Sequence, residues 1–123
     1  MPNQMLTGTE QLRPFLPTKE FEVSKRFYEA LGFKITFDGE VAIFECGSGG
    51  FILQRYFQED WASNSMMQLV VDNLDEYWSY IVSLDLPNRF GVASPKAPEM
   101  QPWGLRIAYI VDPAGVLWHI AQR

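Results

Sequence analysis

The sequence contains one histidine, His119, and its imidazole is the side chain best suited to acid–base or metal chemistry. It follows the turn Asp112–Gly115, where Pro and Gly supply the fixed and the permissive φ angles of a tight reversal. Strand side chains alternate between faces, so Leu117, His119 and Ala121 share one side of the predicted hairpin. Three roles are open: a general base, a cleft-lining residue and a packed core residue. We favour cleft lining, because no Ser, Cys or Asp in the surrounding motifs completes a catalytic set.

Aromatic residues make up 15% of the chain, and three of them stand at positions suited to ligand contact. Trp103 lies between a Pro and a Gly, which predicts an exposed aromatic plane at a junction of loop and strand. The alternative is that its ring plugs the end of the sheet. Tyr56 and Trp61 are close in sequence and are suited to stacking on a planar, cationic ligand. Other aromatic residues are expected to be core: Phe27, Phe33, Phe44 and Trp78.

The 123 residues are 47% hydrophobic and carry a formal net charge of −5, which predicts one globular domain over residues 1–123. The acidic balance argues against non-specific nucleic-acid binding and favours a neutral or cationic ligand. No apolar run reaches the roughly 18 residues that cross a bilayer, and the N-terminus lacks the segments of a signal peptide. The single cysteine, Cys46, cannot form an internal disulfide and is interpreted as a structural thiol. We therefore expect a cytoplasmic protein with no membrane and no nucleic-acid partner.

The first half of the sequence predicts the order β, α, β, β, β. A short strand over Gln11–Leu16 is flanked by prolines, and Thr18 is expected to cap the helix that follows. An apolar stripe at spacing four, formed by Val23, Phe27 and Leu31, marks the buried side of that helix. Three strands complete the half: Phe33–Asp38, Val41–Cys46 and Phe51–Tyr56.

The second half predicts the same order after a polar, irregular linker over Phe57–Asn64. Asp72 or Asn73 is expected to cap its helix, and Pro87 to close it. The predicted elements are the strand Ser65–Val71, a helix with the stripe Tyr77, Trp78, Ile81 and Leu84, the strand Phe90–Ala93, and the hairpin strands Leu105–Val111 and Val116–Ala121.

Two copies with the same order, at about residues 11–57 and 65–122, are typical of half-domains packed around a pseudo-twofold axis. The predicted fold class is therefore α+β, with two βαβββ repeats whose curved mixed half-sheets surround a cleft. The hairpin Val41–Tyr56 corresponds to Leu105–Ala121, which places Gln54 roughly where His119 stands in the second copy. Both side chains are expected to line the same cleft.

Two motifs, FYEALGF at Phe27–Phe33 and DPAG at Asp112–Gly115, resemble those of the vicinal oxygen chelate superfamily of glyoxalases and dioxygenases. Within it, LPTKEFEVSKRFYEALGF, VVDNLDEY, QPWG and VDPAGVLWHIAQ look most like the bleomycin-resistance proteins, small dimeric binders of glycopeptide antibiotics. The first two motifs specify the fold, whereas QPWG is more particular to the resistance branch. The resemblance implies the glyoxalase/bleomycin resistance fold, a homodimer that exchanges its N-terminal strand, and sequestration of an antibiotic.

Metal-dependent enzymes of this superfamily fill four ligand positions with His, Glu and Gln. By resemblance, those positions fall here near Arg13 or Pro14, near Gln54, near Met66 or Met67, and at His119. A guanidinium cation and a proline do not ligate a metal, and a thioether is a poor ligand for hard divalent ions. We therefore predict a metal-free site with no cofactor. The alternative is a metal-dependent glyoxalase-like lyase or isomerase, and a role in assembly without any ligand is a third possibility.

The resemblance also implies which residues contact the ligand. Trp103 matches a tryptophan that helps form the groove for the drug's flat heterocycles, and Phe37 matches a groove aromatic. At Val41 and near Gln68 the sequence lacks aromatic residues that some resistance proteins carry, so the identity of the ligand stays open. We predict an aromatic, cationic, antibiotic-like ligand, with a bleomycin-type antibiotic as one candidate. The predicted ligand-binding residues are Phe37, Gln54, Tyr56, Trp61, Gln68, Trp103 and His119, and none is predicted to be catalytic.

Overall fold

The computed structural model describes residues 11–122, which form two four-stranded mixed sheets with helices on one face of each. The first half contains β1 (Phe15–Leu16), α1 (Phe21–Ala30), β2 (Lys34–Asp38), β3 (Ala42–Cys46) and β4 (Gly49–Leu53). A short helix, α2 (Glu59–Asn64), connects the halves. The second half contains β5 (Met66–Val70), α3 (Leu74–Ser83), α4 (Leu86–Phe90), β6 (Lys96–Met100), β7 (Arg106–Val111) and β8 (Leu117–Gln122).

The two sheets have equivalent strand orders, β1-β4-β3-β2 and β5-β8-β7-β6. In each, the first strand runs parallel to the last strand of its half, and the other neighbours are antiparallel. The predicted α+β fold with two βαβββ repeats is confirmed. No helix within residues 11–122 has the length and apolarity needed to cross a membrane.

The second half departs from the predicted repeat between α3 and β6. The strand predicted over Phe90–Ala93 is wrong, because this stretch is the end of α4 and the loop after it. Pro87 lies in the first turn of α4, where its fixed φ suits a helix and its missing N–H leaves no bond unmade. Pro98 lies inside β6, which is tolerated because β6 is an edge strand and carries a bulge. Pro87, which was predicted to end a helix, therefore lies at the start of one. Pro98, which was predicted to lie in a loop, is part of an edge strand.

Element boundaries in the first half also differ from prediction. Only Phe15 and Leu16 of the predicted strand Gln11–Leu16 are in β1, and β4 ends at Leu53. The stretch predicted to be an irregular linker contains α2, whose first turn carries two acidic residues that the helix dipole favours. Ala62 of this helix is buried, so α2 is packed against the rest of the chain.

Helix caps were predicted correctly in the second half and incorrectly in the first. Asn73 caps α3, since its side chain accepts a hydrogen bond of 3.0 Å from the N–H of Glu76. Thr18 does not cap α1, which begins after Glu20 without a side-chain capping bond. The buried Thr18 hydroxyl instead donates to the carbonyl of Gln54 at 2.7 Å and fastens the chain beyond β1 to the end of β4.

The core is an aromatic cluster that joins the two halves. Phe27, Phe33 and Phe44 are buried as predicted, whereas Trp78 is only half-buried against the rim of the core. The rings of Phe51 in β4 and Trp118 in β8 lie 5.5 Å apart, so the core faces of both sheets meet there. Most of the stability of the fold is expected from this shared burial.

A buried hydrogen-bonded chain accompanies this cluster. The indole N–H of Trp118 donates to the hydroxyl of Tyr28 at 2.9 Å, and that hydroxyl donates to Asp112 at 2.5 Å. The other oxygen of Asp112 accepts from the N–H groups of Ala114 and Val116 at 2.9 and 2.8 Å. Burial raises the pKa of Asp112, and the bonds from Tyr28 and the backbone partly offset this. Burial and the neighbouring carboxyl also raise the pKa of Tyr28, so its hydroxyl keeps the proton that it donates.

We expect Tyr28→Phe to lower the free energy of unfolding by about 2 to 4 kcal/mol, because the change leaves Trp118 and Asp112 each without one buried partner. The matched control is Tyr80→Phe, since the half-exposed Tyr80 hydroxyl donates only to the carbonyl of Ala30. Its loss should cost less than about 1 kcal/mol. Urea unfolding of both variants measures the difference, and equal losses would show that the buried chain contributes nothing particular.

Candidate functional site

Each sheet has a face against the core and a face turned away from it, which we call its open face. In the second sheet Trp118 and Ile120 point into the core, so strand alternation places His119 on the open face. The strand register then aligns four open-face side chains in one row across β5, β8, β7 and β6. This row is Gln68, His119, Tyr109 and Lys96.

His119 sits in the middle of this row. Its ring lies 4.9 Å from that of Tyr109 in an edge-to-face arrangement, and Gln68 is opposite it on the other neighbouring strand. The in-register neighbours of the imidazole are thus an aromatic ring and an amide, where a catalytic triad would supply an orienting carboxylate. His119, predicted to line a cleft, and Gln68, predicted to contact a ligand, thus lie side by side on the open face.

Two hollows lie beside the row, and Lys96 and Tyr109 line both. One, of about 310 Å³, is mostly apolar, and its other lining residues are Ala93, Ser94, Val111 and Leu117. The second, of about 370 Å³, is more polar, and its other lining residues are Ala97, Glu99 and Gln101. The open face of the second sheet therefore offers an apolar recess next to a polar one.

The open face of the first sheet carries a row of a different character. The register aligns Phe15, Ile52, Ile43 and Phe37 across β1, β4, β3 and β2, and all four side chains are apolar. Phe15 and Phe37 at the two edges remain 59% and 53% exposed. A row of this kind is suited to covering the flat apolar surface of a ligand or of another protein chain.

Gln54 does not hold the position in the first half that corresponds to His119. Ile52 does, because it pairs with the first strand of its half and with its hairpin partner as His119 does. The predicted correspondence was wrong because the β3–β4 turn has two residues between its last paired positions and the β7–β8 turn has five. Gln54 lies just beyond β4, where its carbonyl accepts the bond from Thr18.

The structure brings two other predicted site residues together. The rings of Tyr56 and Trp61 lie 5.7 Å apart and are tilted by 50°, with Trp61 on α2. Both side chains are at least half-exposed. They form an aromatic pair at the surface that is available to a planar partner.

Trp103 projects from a tight turn between β6 and β7. The N–H of Gln101 donates a hydrogen bond to the carbonyl of Leu105 at 2.8 Å, and the N–H of Gly104 donates to the carbonyl of Gln101 at 2.9 Å. Gly104 has a φ of +94°, a conformation that strains any other residue. The turn leaves Trp103 62% exposed, so its ring does not plug the end of the sheet.

The predicted site residues thus fall into groups on different elements, and no aromatic pair between residues 11 and 122 links Phe37, the Tyr56–Trp61 pair and Trp103. Tyr109 and Lys96 were missed. Counting back from a four-residue turn over Asp112–Gly115 would have placed Tyr109 opposite Trp118, because the sequence does not show that five residues separate the paired Val111 and Leu117. Lys96 could not be found by counting from this turn, because the strand that carries it was predicted elsewhere.

The predicted metal positions do not form a ligand set in the described part of the chain. Arg13 is paired with Glu45 at 3.2 Å, and Met66 is exposed. Among residues 11–122, no three side chains of His, Cys, Asp or Glu are close enough to hold a metal ion together. The remaining candidates are one imidazole, one amide and thioethers, and they lack the carboxylates and further imidazoles that divalent metals usually take as ligands in proteins.

Two βαβββ halves with these sheet orders define the class of protein, the glyoxalase/bleomycin resistance fold. No protein-family model matches the sequence. A bleomycin resistance protein of Klebsiella pneumoniae is 32% identical over 126 aligned positions, which cover 94% of this chain and 94% of that protein. This identity and coverage show that the chain belongs to the bleomycin resistance protein family.

Solved structures agree with this assignment. The crystal structure of a bleomycin-binding protein complexed with bleomycin is similar, with a TM-score of 0.76, 31% identity, and coverage of 94% of this chain and 99% of that one. A bleomycin resistance determinant encoded on the transposon Tn5 has a TM-score of 0.75 and 30% identity, with coverage of 94% and 98%.

We expect the purified protein to carry no stoichiometric zinc, nickel, iron or manganese, because its donor set does not fit them. Elemental analysis of protein purified without chelator measures this directly. One equivalent of metal per chain that survives dialysis would contradict the prediction. A His119→Ala variant is the control, since a metal held through the imidazole would be lost from it.

Proposed function

We propose that this protein binds and sequesters a small aromatic, antibiotic-like ligand without transforming it. The observation that carries the proposal is the structure of a similar protein in complex with bleomycin, at 31% identity and over nearly the whole chain. The ligand is of bleomycin type or shares its flat, cationic character. The site is proposed to be free of metal, and the protein to act in the cytoplasm.

The two open faces support this proposal through their complementary chemistry. The row from Phe15 to Phe37 offers apolar surface for a flat ring system. The row from Gln68 to Lys96 offers an amide, an imidazole, a phenol and an ammonium group that fix an orientation by hydrogen bonds. Stacking on Trp103 and Phe37 adds affinity, and the net charge of −5 attracts a cationic ligand at long range.

We further propose that the working form is a homodimer. Large apolar side chains on or beside the open faces are exposed in the single chain: Phe15, Phe37, Met66, Val70 and Trp103. An apolar surface of this extent is typical of an interaction site. A second copy that covers part of it, with the ligand held between the two chains, leaves less apolar surface in water.

Trp103→Ala should weaken binding of a flat antibiotic roughly thirtyfold or more, because removal of an aromatic anchor costs about 2 kcal/mol or more. The fold should remain intact, since the Trp103 side chain is largely in solvent. Tryptophan fluorescence titrated with bleomycin and with a panel of planar cationic antibiotics measures the dissociation constants. The control is Trp78→Ala, which should cost about 2 to 4 kcal/mol of stability at its half-buried site. Unchanged affinity in Trp103→Ala would exclude Trp103 from the site.

Deletion of Met1–Leu16 should give unstable or aggregated protein, because it exposes the edge of β4 and removes the buried Leu16. The matched control is Leu12→Ala, which lies in the same segment, keeps the backbone bonds of β1 and removes only an exposed side chain. Sedimentation and thermal melting report assembly and stability. A soluble, well-folded monomer after the deletion would show that the N-terminal strand is not exchanged and that the fold does not depend on it.

A further inference from the structure

A hollow on the helical side of the molecule is separate from both open faces. It has a volume of about 280 Å³ and lies between α1 and α4. Its lining residues are Val23, Arg26, Arg89 and Phe90. Two of the four side chains are guanidinium groups, and neither of the other two carries a charge.

The arginines of this hollow differ from the other arginines that the structure describes. Three elsewhere are paired with carboxylates: Arg13 with Glu45 at 3.2 Å, Arg55 with Glu40 at 3.7 Å, and Arg106 with Asp75 at 2.7 Å. Within residues 11–122, Arg26 and Arg89 have no carboxylate partner. Arg89 donates one hydrogen bond of 3.4 Å to the carbonyl of Leu84, which leaves most of its donors free. In a chain with a net charge of −5, two arginines without a carboxylate partner in the described residues therefore line one small hollow.

The apolar part of the hollow is held in place by the core. The ring of Phe90 packs edge-to-face on the buried Phe27 at 5.5 Å and carries the guanidinium of Arg89 at 5.0 Å. Val23 was predicted to continue the buried stripe of α1, but it is only half-buried and faces this hollow. α4 has no counterpart in the first half, where β2 follows α1 after a short turn. The hollow thus exists only where the internal repeat is broken.

We propose that this hollow binds a small aromatic oxyanion, an arylcarboxylate or an aryl phosphate, independently of the ligand at the open faces. A guanidinium group presents a planar fork of donors that matches the oxygens of a carboxylate or a phosphate. The aromatic ring of the ligand lies on Phe90 and Val23. The volume of the hollow, about 280 Å³, is just below the smallest usual small-molecule sites of about 300 Å³, so it suits a ligand of one ring and one anionic group.

The test is a titration of ¹⁵N-labelled full-length protein followed by NMR. Benzoate and phenyl phosphate are the probes, and inorganic phosphate, benzyl alcohol and benzylamine vary the ring and the charge. We expect both aryl anions to shift the Arg Nε–H signals and the amide signals around Gly91. Benzyl alcohol and benzylamine should leave them in place, and inorganic phosphate should bind more weakly than phenyl phosphate. Arg26→Gln and Arg89→Gln should each weaken aryl anion binding about tenfold or more.

Arg55→Gln is the matched control, because the Arg55 guanidinium also lies over an aromatic ring, Phe21 at 3.9 Å, but is paired with Glu40. It should leave aryl anion binding unchanged. Melting temperatures confirm that each variant is folded, and Arg26→Lys and Arg89→Lys provide milder versions that keep the charge and lose the fork. No saturable shifts, equal binding of benzylamine, or retained affinity in both Gln variants would overturn the proposal. Equal binding of phosphate and phenyl phosphate would overturn its aromatic part, and bleomycin titration of the same variants tests the open faces separately.

Discussion

The hydrogen-bonded chain from Trp118 through Tyr28 to Asp112 is the contact on which both halves depend. Tyr28 comes from α1 in the first half, whereas its two partners are 90 and 84 positions away in the last hairpin. All three side chains are buried, and Asp112 is 2% exposed, so each polar group needs its partner. The same carboxylate also holds the β7–β8 turn through two backbone N–H groups. Formation of the turn and docking of the two halves are therefore coupled through a single side chain.

This contact gives a physical account of the two motifs that carry the family resemblance. FYEALGF contributes Tyr28 together with the buried Phe27 and Phe33, and DPAG contributes Asp112 together with the Gly115 that allows the turn. Sequence analysis identifies each motif alone but does not show that they touch. The two motifs are far apart in sequence, so the hydrogen bond of 2.5 Å between Tyr28 and Asp112 could be found only from the packing of α1 against the hairpin.

The predictable parts of this protein are those fixed by local periodicity. Apolar spacing located α1 and α3, alternation gave the face of His119, and the Asn73 cap has a strong local signal. The parts that failed depend on partners distant in sequence. Threonine is a common helix cap, but the Thr18 hydroxyl donates its hydrogen bond to the carbonyl of Gln54, just beyond β4. The position of Gln54 was predicted incorrectly because the two hairpin turns differ in length. Helix α4 was missed because a proline is compatible both with the end of a helix and with its first turn.

The open faces of the two sheets can differ in residue type, because they do not have to pack against a helix or against the other sheet as the core faces do. By register, Ile52 of the first half is equivalent to His119 of the second half, and Ile43 is equivalent to Tyr109. The core faces of both sheets must match α1 and each other, so their residues remain apolar in both halves. Open-face side chains contribute less to the stability of the single chain, and they can diverge without loss of the fold. The second row carries hydrogen-bonding groups, and the first carries apolar side chains. The two halves therefore differ in the chemistry that they offer to a molecule at the surface, apolar contact from the first row and hydrogen bonds from the second.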